Sequence, residues 1–294
     1  MNSKLKKTLK FILIGLGVLV FVLYIVFRFF MDMKMSDAKI EEYFSKEQIK
    51  PSFHFYETEG HQMFYTDIGD TTKPTIVFVH GSPGSWDAFA AYFKDPDLLQ
   101  HFRMISMDRT GYGKSSPGKP ESSLWLQSAL IKPILDQIPD SIPTLIVGHS
   151  FGGPIAYRMA MDYPDQVDAL LILAGLADPE HESRPFFLYP LRSKWLRWLL
   201  PPDMDASNRE ILPLKQELYK MEDDNMWEKI TANTIIIQGN KDILVSMEHA
   251  DYAEKMMVNA PVEVIRMPEE NHFIPWTQFD LVKETIFKLY EKIH

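Results

Sequence analysis

The sequence predicts an α/β fold: a mostly parallel central sheet flanked by helices on both faces, preceded by an N-terminal transmembrane helix. Three observations predict it. Short, wholly apolar runs alternate with helical patterns over most of the chain, and strands apolar on both faces belong to parallel sheets covered on each side. One of these runs, Thr144–Val147, leads into Gly148-His149-Ser150-Phe151-Gly152 and then a helical pattern, the signature of a sharp strand-to-helix turn. Near the N-terminus, Phe11–Phe27 is a stretch of seventeen residues without a charge.

The apolar stretch comes first. As a helix it spans about 26 Å, close to the hydrocarbon core of a bilayer, and Arg28 beyond it can snorkel to the interface. It is apolar all round, so it should cross a membrane rather than lie on one. No small-residue cleavage site follows; Arg28-Phe29-Phe30-Met31-Asp32 does, which favours an uncleaved anchor over a signal peptide. Lys4, Lys6, Lys7 and Lys10 precede the stretch, against Arg28 and Lys34 after it. Positive flanks stay inside, so the N-terminus is expected in the cytoplasm and the folded domain outside it. Residues 1–34 form this stub and anchor, 35–52 a polar linker, and 53–294 the folded domain.

Within that domain, Phe53–Tyr56 and Gln62–Ile68 read as an antiparallel pair around the Glu59-Gly60 turn. The apolar runs Thr75–Val79, Met104–Met107, Thr144–Val147, Ala169–Leu173, Thr234–Gln238 and Val262–Arg266 then read as the parallel strands. Between and after them the expected helices are Trp86–Lys94, Ser123–Asp136, Phe151–Tyr163, Met247–Met257 and Gln278–Lys292. The alternation breaks between Leu176 and Asn233. That stretch is rich in proline and in aromatics (Phe186, Phe187, Trp195, Trp198) and is too long and apolar for a surface loop.

Composition narrows the function. The net charge is −9, and five of the 31 Lys and Arg lie in the first 28 residues, so the folded part is more acidic still. Such a surface is a poor partner for nucleic acid, which needs clustered cations. There is no cysteine, which excludes disulfides, thiolate metal sites and a cysteine nucleophile. The nine histidines show no metal-ligand spacing, so no metal and no cofactor is expected.

Ser150 is the candidate nucleophile. Gly148 and Gly152 leave room for the tight turn, and the helix beginning behind the serine aims free N–H groups and a positive dipole end at it. Pro154 sits in the first helical turn, where a missing N–H costs little. A serine hydroxyl needs a base within hydrogen-bond reach. Of the nine histidines, His272 suits best: it follows the last strand run in a polar loop, Pro268-Glu269-Glu270-Asn271-His272, and loops at the C-terminal ends of parallel strands gather above the sheet. His149, beside the serine, reads as packing, and His80 as a brace for its own loop.

Four segments together carry a family resemblance: His80-Gly81-Ser82-Pro83-Gly84, Asp108-Arg109-Thr110-Gly111-Tyr112-Gly113-Lys114-Ser115, the Ser150 turn, and Gly239-Asn240-Lys241-Asp242 with Asn271-His272-Phe273. In order and spacing they resemble the α/β-hydrolase family, across residues 75–276. The resemblance implies a Ser150, Asp242, His272 triad in the family's chain order. Asp178, after the preceding strand, is the alternative acid, since some family members place it there; otherwise it caps the turn before Pro179. The backbone N–H groups of Ser82 and Phe151 would form the oxyanion hole, Asp108–Ser115 would be a structural turn, and about 177–232 would be a helical cap over the site, some of its aromatics lining the pocket.

The function implied is a membrane-anchored serine hydrolase that cleaves a carboxylic ester or similar acyl bond of a small molecule through an acyl-enzyme. Relatives that open epoxides carry an aspartate at the Ser150 position. The runner-up is a proline iminopeptidase-like aminopeptidase, which would want a cap carboxylate (Glu180, Glu182, Asp203 or Asp205) for a substrate amine. A C–C bond hydrolase and a non-catalytic binding module are further readings.

Overall fold

A computed structural model of the chain describes residues 3–30, 34–45, 49–182 and 189–293. Eight strands form one sheet: β1 (Ser52–Thr58), β2 (His61–Ile68), β3 (Thr75–Val79), β4 (Arg103–Asp108), β5 (Thr144–His149), β6 (Ala169–Leu173), β7 (Asn233–Gly239) and β8 (Val262–Met267), in the order β1-β2-β4-β3-β5-β6-β7-β8. β1 pairs with β2 and β2 with β4 antiparallel; every other pairing is parallel. The β1–β2 turn is Glu59-Gly60, both at positive φ, as a two-residue hairpin requires.

The described helices are α1 (Ser3–Phe30), α2 (Asp37–Ser45), α3 (Pro96–His101), α4 (Leu124–Leu135), α5 (Gly152–Asp162), α6 (Pro202–Ile211), α7 (Leu214–Lys220), α8 (Glu248–Met256), α9 (Ile274–Thr277) and α10 (Phe279–Ile293). Strand side chains alternate between two cores. In β3, Val77 and Val79 face the layer built with α4, α5 and α8, while Ile76 and Phe78 face the layer built with α2, α3 and α10. Both faces are buried, which is why these strands are apolar at consecutive positions.

Two local expectations change. Trp86–Lys94 is not one α-helix but two 3₁₀ segments, Trp86–Phe89 and Tyr92–Lys94. Trp86, Phe89 and Tyr92 are all buried at a spacing of three, the period of a 3₁₀ turn. α3, absent from the sequence reading, starts at Asp95-Pro96: the Asp95 side chain accepts from Leu98 N–H at 3.0 Å and proline occupies the first turn.

Segment 35–52, expected as a linker, carries α2, and Ile40 and Phe44 of that helix are buried in the core. Phe44 stacks on Trp86 with ring centroids 6.3 Å apart. α1 is different: Lys6–Val26 has a mean hydropathy of 2.7 and none of that stretch is buried, so by length and composition it is a candidate membrane span or a signal sequence. The Arg28 side chain, Met31 and Asp32, and the cap residues Phe186 and Phe187, lie outside the described residues.

Candidate active site

The Ser150 turn is built by crowding. Ser150 has φ of +53°, the left-handed region, at a cost of order 1–3 kcal/mol for a non-glycine residue. Its backbone is held on both sides: the N–H donates to Leu173 O at 3.0 Å and the carbonyl accepts from Gly153 N–H at 2.9 Å. A Cβ on Gly152 would lie 2.1 Å from Val79 O, and one on Gly148 2.6 Å from Gly152 O, so neither position admits a side chain.

Asp242 and His272 meet beyond the ends of β7 and β8. His272 Nδ1–H donates to Asp242 Oδ2 at 2.7 Å, so Nε2 is the ring nitrogen turned away from the carboxylate. Asp242 Oδ1 accepts the N–H groups of Leu244 and Val245, each at 2.8 Å, and Gln238 Nε2 donates to Oδ2 at 3.3 Å. Burial alone would raise the Asp242 pKa; the bond from His272, the imidazole charge and the two amides outweigh it and hold the carboxyl below its usual range. Asp178 sits elsewhere: Oδ1 accepts from Glu180 N–H at 2.7 Å and Oδ2 pairs with His181 Nδ1 at 2.6 Å, a turn-capping role.

Ser150, His272, Ser82 and His149 share the wall of one cavity of about 650 Å³. The His80–Gly84 loop lies against the serine, since a Cβ on Gly81 would fall 2.9 Å from Ser150 Cβ. The loop that carries Ser82 is thus packed against the turn that carries Phe151, the two residues whose amides the resemblance implies as oxyanion donors. The cap contributes Met204 to the wall, and Tyr43, Phe273 and Trp276 supply its aromatic surface. No described cap aromatic lines it: Trp195 and Trp198 are 86% and 65% exposed. The carboxylates considered for a substrate amine are also off the wall. Asp203 pairs with Lys34, Asp205 with Arg197 and Glu180 with Lys215.

Several further residues hold the site in place. His149 Nε2–H donates to the His272 backbone carbonyl at 3.0 Å, tying the base loop to the serine turn. Burial, with His272 beside it, pushes the His149 imidazole down to about 3, so it stays neutral. His80 is likewise buried and, with Arg109 beside it, held well below its usual value. Its Nδ1–H donates to Gly81 O at 2.7 Å, and Nε2 accepts from Arg109 N–H at 3.0 Å.

Arg109 is the hub. Its guanidinium donates to His80 O and Gly81 O, both at 2.9 Å, and to Gln127 Oε1 at 2.8 Å. It also forms a two-pronged pair with Glu210 of α6, both contacts at 2.8 Å, and lies over the Phe151 ring at 4.8 Å. Glu210 is 0% exposed and also accepts from Tyr112 Oη at 2.5 Å. Burial would lower the Arg109 pKa, but the facing carboxylate raises it overall, so the guanidinium is a permanent cation. Ser82 Oγ completes the link, 3.0 Å from Tyr112 Oη and 2.9 Å from Ser207 Oγ of α6. α6 and the His80–Gly84 loop are thus joined by a largely buried polar network. Arg109 and Tyr112 fell inside one motif segment, and His80, Gly81 and Ser82 inside another; nothing in the sequence of α6 singles out Glu210.

Residues 74–199 match the alpha/beta hydrolase fold family. Mouse sn-1-specific diacylglycerol lipase ABHD11 is 34% identical over 105 residues, covering 36% of this chain and 34% of that protein. Mouse epoxide hydrolase 4 is 28% identical over 116 residues, covering 39% of this chain and 32% of that protein. The chain therefore spans about a third of the length of these curated relatives. Among solved structures, a bacterial membrane phospholipase A superposes with a TM-score of 0.65 at 17% identity, covering 100% of this chain and 99% of that one, a likeness of fold.

Proposed function

We propose that this chain, which belongs to the α/β-hydrolase family, is a membrane-anchored serine hydrolase of carboxylic esters, with Ser150, His272 and Asp242 as its triad. The observation that carries the reading is the 2.7 Å bond from His272 Nδ1 to Asp242 Oδ2 in a loop that shares one cavity with Ser150. In this reading Ser150 Oγ attacks the acyl carbon and His272 Nε2 takes the hydroxyl proton. The amides of Ser82 and Phe151 stabilise the oxyanion, and Asp242 holds the imidazolium. The alcohol leaves with the proton from His272. Water, deprotonated by the same nitrogen, then releases the acid and restores the serine.

A serine rather than an aspartate at position 150 supports an acyl electrophile over an epoxide. The engagement of Asp203, Asp205 and Glu180 in ion pairs, with none of the three on the cavity wall, speaks against an aminopeptidase. α1 serves as the anchor, its N-terminal lysines inside and the catalytic domain outside the cytoplasm. The test is covalent labelling by a fluorophosphonate on the membrane-bound chain. Wild type should label and hydrolyse p-nitrophenyl butyrate, and Ser150→Ala should do neither while folding normally. Labelling of the variant at the wild-type rate would remove Ser150 from the mechanism. Release of the chain by alkaline carbonate, or full protease protection of the domain in spheroplasts, would overturn the anchor or its orientation respectively.

A further inference from the structure

The cap carries an apolar surface that the catalytic reading does not use. Trp195 and Trp198 are 86% and 65% exposed, with Tyr189 at 55% beside them in sequence, and neither indole faces the cavity. Exposed clusters of large apolar side chains mark a surface that something covers. Their neighbour is α1. Tyr24 Oη donates to Trp198 O at 2.7 Å, and the two rings meet edge to face with centroids 6.1 Å apart. Tyr24 lies two residues from the domain-side end of the apolar span Lys6–Val26. Tyrosine and tryptophan concentrate at that depth, where a bilayer's hydrocarbon gives way to headgroups, because their rings are apolar and their polar tips are not.

The cavity belongs to the same corner of the molecule. Met35 and Tyr43, from the segment that leaves α1, form part of its wall. Met35 N–H donates to Asp87 Oδ2 at 2.6 Å, and Lys34 pairs with Asp203 of α6 at 3.4 Å, next to the wall residue Met204. Met35 is five residues past Phe30, so even a fully extended chain keeps it within about 17 Å of the end of α1. Leu244, Phe273 and Trp276 on the wall are 64%, 46% and 47% exposed, and Ile243 beside them is 95% exposed. Exposed apolar side chains thus stand both on the cap beside α1 and along the wall of the cavity that holds Ser150.

We propose that the catalytic domain rests on the bilayer through Trp195 and Trp198, set at headgroup level beside Tyr24, and that its substrate is an acyl ester of a lipid in that same leaflet, drawn into the cavity past Met35 and Tyr43. The proposal rests on the readings of α1 as an anchor and Ser150 as the nucleophile. A lipid headgroup surface is the occupant because the patch is joined to the one helix, among the described residues, whose own apolar length matches a bilayer.

The experiment uses the full chain reconstituted in phosphatidylcholine vesicles that contain a minor fraction of diacylglycerol. In vesicles whose acyl chains are brominated near the headgroup, part of the tryptophan emission should be quenched, and that part should be missing from Trp195→Phe/Trp198→Phe. Fatty-acid release from vesicle lipid should fall about tenfold or more in Trp195→Asp/Trp198→Asp, as the docking energy is lost, with hydrolysis of soluble p-nitrophenyl butyrate within about twofold of wild type. Three results overturn the proposal: indoles quenched by aqueous acrylamide but not by bromolipid, equal loss on both substrates, or no lipid hydrolysis by the wild-type chain. Shielding of the indoles from both quenchers would mean a second copy of the chain covers the patch, and would overturn it too. Carbonate extraction and Ser150→Ala labelling, run in parallel, report failure of the underlying readings separately.

Discussion

Glu210→Gln tests whether the cap holds the oxyanion loop. The substitution preserves shape but leaves the Arg109 cation in a site where the two side chains are 1% and 0% exposed. Breaking a buried ion pair from one side costs about 3–5 kcal/mol, because the remaining charge is desolvated and unpaired. Here the guanidinium keeps His80 O, Gly81 O and Gln127 Oε1 as acceptors, and glutamine retains one oxygen, so the lower end applies, about 3 kcal/mol. For a domain of this size that lowers the melting temperature by roughly 6–12 °C, measured by circular dichroism on the full chain in detergent. Activity should fall with it. The same guanidinium anchors the carbonyls of the two residues before Ser82, and displacing an oxyanion donor without losing it should cost about tenfold in kcat, less than the 10²–10³ of outright loss.

The double variant Arg109→Met/Glu210→Leu separates the two effects. Replacing both charges with apolar groups should restore most of the stability, since a buried pair is often no better than a well-packed apolar one. It should not restore kcat, because His80 O and Gly81 O then lack their donor. A Glu210→Gln variant melting within about 2 °C of wild type, where roughly 6–12 °C is expected, would refute the energetic argument. Recovery of kcat in the double variant would refute the positioning argument.

Two further predictions follow from the triad loops. Asp242→Asn should lower kcat by about 10⁴ by stabilising the wrong His272 tautomer, while Asp178→Asn, which loosens only a turn, should have a modest effect on p-nitrophenyl butyrate hydrolysis; the reverse ranking would move the acid to Asp178. The His149 imidazole has a folded pKa of about 3, below its unfolded value, so its contribution to stability is complete above the unfolded value and is lost as pH falls from there toward 3. Urea titrations should show His149→Gln, which does not titrate, losing about 1 kcal/mol less than wild type between pH 6.5 and 5.5, and equal pH slopes would contradict a buried neutral ring.

Much of the fold was legible because each element solves a local problem. Strands buried on both faces must be apolar at consecutive positions, so β3 and β6 read off with their observed ends. Asp95-Pro96 announces α3 by capping chemistry that a search for apolar periodicity passes over. The 3₁₀ geometry of Trp86–Phe89 follows from which aromatics are buried together, which is a property of the assembled core. The same holds for α2: a mainly polar stretch becomes part of the domain only because Ile40 and Phe44 find a site beside Trp86.

For the candidate site, the sequence by itself picked out the candidate reacting groups and the strand ends that carry them. A glycine-flanked serine, an aspartate after one strand and a histidine after the next are properties of short segments, since turn geometry and strand ends are set within a few residues. Only the tertiary structure decided what surrounds them. The 2.7 Å contact of Asp242 with His272, the Arg109–Glu210 pair, the bond from His149 to the His272 carbonyl and the outward placement of Trp195 and Trp198 all join or separate residues remote in the chain. Burial, charge pairing and exposure depend on what folds against a residue, and for Glu210 that partner lies 101 residues away.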